Sequence, residues 1–268
     1  MATGRFVLTI LACVIPLAAQ FARAAETLVS YPLAVRELLD KKQWAPIEPL
    51  AEFLRRTPSG EESGEDLSGV KDAVLMRISE GSVPRPGWLR ALCEIIEDPA
   101  ADPVGRVYCA QYVSLLYPVF ARTPAVSEEA KRARATLREA LNSPDDYLSG
   151  TALLQLATLV EHHPELDRAR VETEALDMLR QQRRGAPARV AALQVCARLR
   201  VVEALPLIRS LLVTAENAAE SASAFHALGI LGEPGDIDLL RTLPNRPILP
   251  QARDAALRSL ERRWTVQT

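Results

Sequence analysis

The chain contains few aromatic residues, few lysines and few histidines. Aromatics make up 5% of its 268 residues. The core that a 48% hydrophobic content can fill must therefore be built mostly of Ala, Leu and Val. Ala and Leu are the best apolar helix formers, so this composition suits closely packed helices. Lysine occurs only at Lys41, Lys42, Lys71 and Lys131, and all other basic residues are arginine. That skew, with abundant Ala, Leu and Pro, fits a GC-rich bacterial genome. The formal net charge of −2 argues against a mainly electrostatic nucleic-acid binder. The histidines are His162, His163 and His226, too few for a Ser-His-Asp or Cys-His arrangement to stand out. No stretch sustains the apolar–polar alternation of a half-buried strand.

What is present begins at the N-terminus. "MATGRFVLTILACVIPLAAQFARA" sets Arg5 before an apolar run, Phe6 to Ala19, and ends in small residues around Ala22-Arg23-Ala24. This is the three-part pattern of a secretory signal peptide, with cleavage expected after Ala24. The run is short for a spanning helix, which takes roughly 20 apolar residues, and Pro16 interrupts it. "ILAC" ending at Cys13 loosely resembles a lipoprotein box, but the apolar run continues past it. Membrane association is therefore expected only if the segment is retained or Cys13 is lipidated. Otherwise the protein is exported, to the periplasm or beyond. Export permits disulfides, and Cys93, Cys109 and Cys196 remain after cleavage, an odd count.

Beyond residue 30 the apolar spacing is i, i+3, i+4 in segment after segment. It predicts helices over 33–43, 47–57, 69–80, 86–97, 103–121, 127–142, 146–163, 166–182, 187–200, 202–213, 217–231, 236–243 and 249–263. The breaks have local causes. "DPAADP" at 98–103 stops one helix and starts another with proline. "NSPDD" offers Ser143 as an N-cap, and "RRGAP" reopens a helix at Pro187. "PSGEESGEDLS", 58–68, reads as an acidic loop.

Several stretches could carry chemistry. "HALGILGEPGD" spaces Gly229, Gly232 and Gly235 evenly before Asp236. A phosphate loop would need Lys-Ser or Lys-Thr after its last glycine, and a dinucleotide fold would need a preceding strand. Neither is there. The triplet reads as an elbow: Gly229 inside a helix, Gly232 or Gly235 taking a positive φ at its end, and Pro234 and Asp236 shaping the turn. "EHHPE" sets His162 and His163 about 100° apart on a helix, unlike an i, i+4 ligand pair; it reads as a polar helix end, and His226 as a surface residue. Cys93 and Cys109 flank the "DPAADP" turn at similar heights. They form either a disulfide or two buried thiols packing as small apolar groups. Cys196 is expected in the core. Glu61, Glu62, Glu65 and Asp66 lack the ligand spacing of a calcium loop. Lys131, Arg132, Arg134 and Arg138 interleave with Glu128, Glu129 and Glu139 as a solvated face, with no aromatic surface for bases to stack on. Trp44 and Trp88 pack loops onto helices or anchor a partner. No cofactor or metal site emerges.

The chain also repeats itself. "RVAALQVCARL" (189–199) and "SASAFHALGIL" (221–231) align so that Ala192 matches Ala224, Ala197 matches Gly229 and Leu199 matches Leu231, an offset of about 32 residues. Ala256 in "ARDAALRSLER" continues the series. "GTALLQLATLV" aligns at an offset of about 40. With second helices "VVEALPLIRSLL" and "GDIDLLRTL", the pattern resembles HEAT repeats, helical hairpins that stack because one hairpin cannot bury its own apolar face. The resemblance is good over 187–263, weaker over 103–182 and only suggestive before residue 100. It implies an all-α solenoid, a right-handed superhelix of antiparallel hairpins. The expected organisation is a signal peptide over 1–24, an N-terminal helical region over 25–100 that is a cap or divergent repeats, and HEAT-like repeats over 101–268. It further implies a non-catalytic scaffold or binding module in the bacterial envelope whose partner is another protein. The alternatives are an accessory enzyme or cofactor-binding protein, as some HEAT-like proteins are, and a purely structural envelope protein. The repeated His-Glu pairs of iron-binding HEAT-like proteins are missing.

Overall fold

A computed structural model describes residues 31–40, 46–58, 64–80, 85–181, 183–243 and 250–265. The expected signal peptide, Cys13, Trp44, Glu61 and Glu62 lie outside these residues. Those described are all-α, without a strand among them. Thirteen α-helices follow one another: α1 Leu33–Asp40, α2 Ile47–Arg55, α3 Gly64–Ser79, α4 Trp88–Glu97, α5 Pro103–Ala121, α6 Ser127–Ala140, α7 Asp146–His162, α8 Arg168–Arg180, α9 Ala186–Leu199, α10 Leu205–Thr214, α11 Ala218–Leu231, α12 Gly235–Thr242 and α13 Pro250–Thr265.

The odd-numbered helices form one layer. Each packs on the next odd helix along the chain, from α1 on α3 to α11 on α13. The even-numbered helices lie against them: α6 on α5 and α7, α8 on α7 and α9, α10 on α11, α12 on α13. Helices α2, α4 and α6 also pack on one another, whereas α8, α10 and α12 pack on odd helices. Helices α7 and α9 run parallel. A Cβ on Gly150 near the start of α7 would sit 3.1 Å from the Ala191 Cβ, and Arg198 near the end of α9 reaches Glu161 near the end of α7 at 2.6 Å.

One apolar core runs from Tyr31 to Leu260. Its aromatic members are concentrated before residue 121, at Tyr31, Phe53, Trp88, Tyr112, Tyr117 and Phe120; beyond that point Phe225 is the one Phe, Tyr or Trp among the buried residues described. The C-terminal half therefore packs through small residues. A Cβ on Gly229 would stand 3.0 Å from Ala256 Cα on α13. Gly229→Val should force α11 and α13 apart and cost about 1–3 kcal/mol, read as a lower urea midpoint. An unchanged midpoint would mean the helices do not meet there.

Helix ends explain where the charges go. Four exposed amides at each N-terminus and four carbonyls at each C-terminus need partners. Asp102, Asp145, Asp167 and Asn217 cap α5, α7, α8 and α11 through their own side chains. Ser143 is not the cap of α7. Its hydroxyl accepts the Asp145 N–H at 3.2 Å, one step upstream, because Asp145 reaches the helix amides directly. Helix α4 begins after Gly87, whose φ of 91° only glycine adopts freely, and no side chain of its own caps it. Glu129 on α6 does so, accepting Gly87 N–H at 2.7 Å and Arg90 N–H at 3.1 Å. Glu129→Ala should cost about 1 kcal/mol, seen as a lower midpoint in urea, and Glu129→Gln should recover part of it.

Arginines serve the other ends. Arg106 donates from Nε and Nη2 to the Ile96 carbonyl closing α4, at 3.0 and 2.9 Å. Arg184 donates to Leu141 and Ser143 carbonyls after α6, at 2.7 and 2.6 Å. Arg168 reaches Leu199 O at the end of α9, at 2.7 Å, and Arg263 reaches Ile230 and Gly232 carbonyls after α11. A cation beside the carbonyl end of a helix is favourable on both counts, hydrogen bonding and dipole.

Candidate functional site

The odd layer presents a stripe with few charges. The stripe consists of Val104, Tyr108, Gln111 and Leu115 on α5, Thr151, Leu154, Gln155 and Thr158 on α7, Val190 and Gln194 on α9, and Ser223, His226 and Ile230 on α11, all exposed or half-exposed; the same helices also show Arg106, Asp146, Glu161, Arg189 and Arg198. They recur at helical spacing and carry no carboxylate, lysine or arginine. The charges that border them are spent within the fold. Arg106 caps α4. Arg189 donates to Glu220 on α11 at 2.9 Å, and Arg198 bonds Glu161 and Thr158 on α7. Leu115 is 59% exposed and Tyr147, at the start of α7, is 68% exposed. The even helices differ: Glu128, Lys131, Glu139, Arg170, Asp177, Arg180, Asp238 and Arg241 are exposed or half-exposed on α6, α8 and α12.

A second concentration of polar groups is buried where α2, α3 and α5 meet. Lys71 is wholly buried. Its Nζ donates to Asp102 Oδ2 at 2.8 Å and to the Arg56 carbonyl at 2.5 Å. Asp102 Oδ2 also accepts the Gly105 N–H at 2.8 Å. Burial lowers the Lys71 pKa, and the Asp102 carboxylate opposes that shift without cancelling it. Nearby, Tyr112 donates to Asp72 Oδ1 at 2.8 Å, and burial together with the Asp72 carboxylate raises its pKa. These groups hold one another, and a wholly buried amine offers no access to a substrate. Their chemistry is that of a structural tie.

Cys93 and Cys109 are free buried thiols, not a disulfide. Cys93 lies beside Thr136 on α6, and Cys109 lies near Lys71 on α3. Burial pushes Cys93 up to about 11 and Cys109 and Cys196 up to about 12, so none is a reactive thiolate near neutral pH. Cys196 is in the core.

The glycine triplet is an elbow, as its lack of a lysine implied, but not through a positive φ. Gly232 has φ −58° and Gly235 opens α12. Among the described residues positive φ falls on Gly87 and Arg200, the latter ending α9 at 64°. Gly232 is needed for space, since a Cβ there would be 2.7 Å from Leu228 O. Asp236 closes the turn: its Oδ2 accepts Glu233 N–H at 2.7 Å, and Arg209 on α10 grips both its oxygens at 2.7 and 2.9 Å. Burial works against this carboxylate, yet Arg209 holds its pKa below the usual range.

His226 is exposed and His163 is not. The His163 ring stands edge-on to Tyr117, centroids 4.9 Å apart, with Nδ1 3.2 Å from Glu165. The end of α7 is polar, as expected, with Glu161 and His162 exposed, but the His163 ring is buried against Tyr117. Trp88 is buried and packs α4 into the core. The basic residues of α6 reach other helices more than one another. Arg132 bonds Glu97 on α4 at 2.9 Å and Arg138 lies 3.7 Å from Glu174 on α8, while Lys131 pairs with Glu128 along α6. Residues 64–68, expected in the acidic loop, begin α3 instead. No three His, Cys, Asp or Glu side chains converge as metal ligands among the described residues, and no described helix is long and apolar enough to cross a membrane.

Lys71, Asp102, Glu129 and Glu220 are the residues that sequence reasoning passed over. Lys71 alone had a signal: a lysine between two helical valines, Val70 and Val74, in a chain that otherwise uses arginine. No protein-family model matches the chain, and no curated protein matches it.

Proposed function

We propose that the protein is an exported, non-catalytic binding module of the bacterial cell envelope, a HEAT-like solenoid of helical hairpins that holds another protein against its odd-helix face. The observation that carries this reading is the contrast between the two layers. Helices α5, α7, α9 and α11 share a stripe of uncharged side chains that includes exposed Leu115 and Tyr147, while α6, α8 and α12 present exposed charges. Interfaces are depleted of charge at their centre and enriched in aromatic anchors. The alternation of layers supports the solenoid. Odd helices pack closely from α5 to α13, whereas α8, α10 and α12 pack inward on them. Export is supported by the tripartite sequence of residues 1–24.

Affinity capture with the 25–268 protein tests it. The expected result is one stoichiometric partner from a native envelope extract. The partner should be lost with Leu115→Glu/Gln194→Glu and kept with the even-face change Lys131→Glu/Asp177→Lys. Both variants should match the parent in helicity and melting. Equal capture by all three proteins, or capture lost only with the even-face variant, would sink the reading.

A further inference from the structure

The geometry points to helices α1 and α2 forming an arm that opens as a unit, with Lys71 as its catch. Helices of eight and nine residues do not persist alone in water, so both exist only while docked. Their main neighbours are each other and α3, α4 and α5. Three polar ties converge on the end of α2. The Arg56 carbonyl takes the Lys71 ammonium, the Arg55 carbonyl takes the Asp102 N–H at 3.0 Å, and the Arg55 side chain lies 3.7 Å from Glu94.

The first tie differs from the other ion pairs of the fold. Lys71 is wholly buried and Asp102 nearly so, and α2 forms part of their cover. Taking two charges out of water is costly, and their attraction repays that cost only in part. Undocking α2 returns both groups to water and recovers the desolvation cost. That recovery offsets part of the apolar burial that Leu50, Phe53 and Leu54 give up. The pairs around α9 to α12 differ in that their cations Arg189, Arg198 and Arg209 keep contact with solvent, although Glu220 and Asp236 are buried, whereas Lys71 and Asp102 are both withdrawn from it. Opening at α1–α2 is thus easier than unfolding of α9 or α11. Such sub-global units are a general property of folded chains.

Hydrogen exchange of the 25–268 protein, followed by mass spectrometry at increasing sub-denaturing urea, tests this. Amides of α1 and α2 should exchange together, at least about a hundredfold faster than those of α9 and α11. Lys71→Met leaves the Asp102 carboxylate buried without its cation and should speed exchange of α1 and α2 by about a further hundredfold, with α9 and α11 unchanged. Lys71→Met/Asp102→Asn keeps the cap of α5, removes both charges and should slow the arm again. If α1 and α2 in the unaltered protein exchange only with α9 and α11, the arm does not exist; that result stands even if a variant fails to fold. Equal acceleration of all helices by Lys71→Met would overturn the role of the catch.

Discussion

Asp102→Ala should lower the unfolding free energy by about 3–5 kcal/mol, the usual cost of leaving a buried charge without its partner. Two losses combine. The Lys71 ammonium keeps the Arg56 carbonyl but loses its carboxylate, and α5 loses the side chain that caps Gly105 N–H, itself worth about 1 kcal/mol. The substituted protein has one escape, which is to shed the Lys71 proton. Its pKa is already lowered by burial, and removal of Asp102 lowers it further. The penalty should therefore shrink as the pH rises, because a neutral amine is cheaper to bury than an ammonium. Urea titrations of Asp102→Ala and the unaltered protein at pH 7 and pH 9.5 measure this. Asp102→Asn should cost less, since it retains a cap without the charge. A loss below about 1 kcal/mol for Asp102→Ala would show that the pair behaves as a solvated surface bridge.

Stability should fall steeply above pH ~8.5, and the three thiols should account for most of the fall. An unfolded cysteine titrates near ~8.5. In the fold, burial raises Cys93 to about 11 and Cys109 and Cys196 to about 12. A group whose folded pKa is raised contributes stability that is complete below the unfolded pKa and is lost as the pH climbs toward the folded one. At pH 10 the unfolded chain has released these protons and the fold has not. Each thiol then costs about 2 kcal/mol, at about 1.4 kcal/mol per pH unit, or about 6 kcal/mol for the three. Tyr108, Tyr112 and Tyr117, also raised by burial, extend the fall above pH ~10. Lys71, lowered, acts in the opposite sense and offsets a fraction of it. Guanidinium unfolding under reducing conditions at pH 7.5 and pH 10 gives the slope, and Cys109→Ala should flatten it by about a third whatever it does to absolute stability. A slope indifferent to that substitution would mean that the thiols are not where the structure has them. Were Cys93 and Cys109 joined instead, Cys196 alone would titrate and the slope without reductant would drop accordingly.

Much of this fold is legible in the sequence. Thirteen helices are readable because their apolar residues recur at helical spacing and because proline marks the starts of α5 and α9. The helix over 103–121 has the expected ends. Gly229 is recognisable as a close-packing position from the residues that align with it. Other features depend on groups far apart in sequence. Glu129 looks like one of several acids on a mixed-charge helix, and nothing local says that it caps α4 some forty residues upstream. Ser143 and Asp145 both satisfy the rule for an N-cap, and only the backbone geometry chooses Asp145. The acidic stretch before Leu67 reads as loop by composition, yet α3 begins at Gly64 within it. Cys93 and Cys109 share a height along neighbouring helices, yet both are free buried thiols, and spacing along the chain does not decide between that and a disulfide. The uncharged stripe across α5, α7, α9 and α11 is visible only as low charge within each helix; its continuity depends on the odd helices being neighbours.

If a partner protein sits on the odd-helix face, site-specific photo-crosslinking in living cells should trap it there, whatever that partner is. A photoreactive phenylalanine would replace Leu115 or Gln194 on the odd face, and Lys131 or Asp177 on the even face. The expected result is a discrete higher-mass adduct, containing the same second protein, from the first two positions and none from the last two. Adducts from Lys131 or Asp177 with none from Leu115 and Gln194 would contradict the assignment of the binding face.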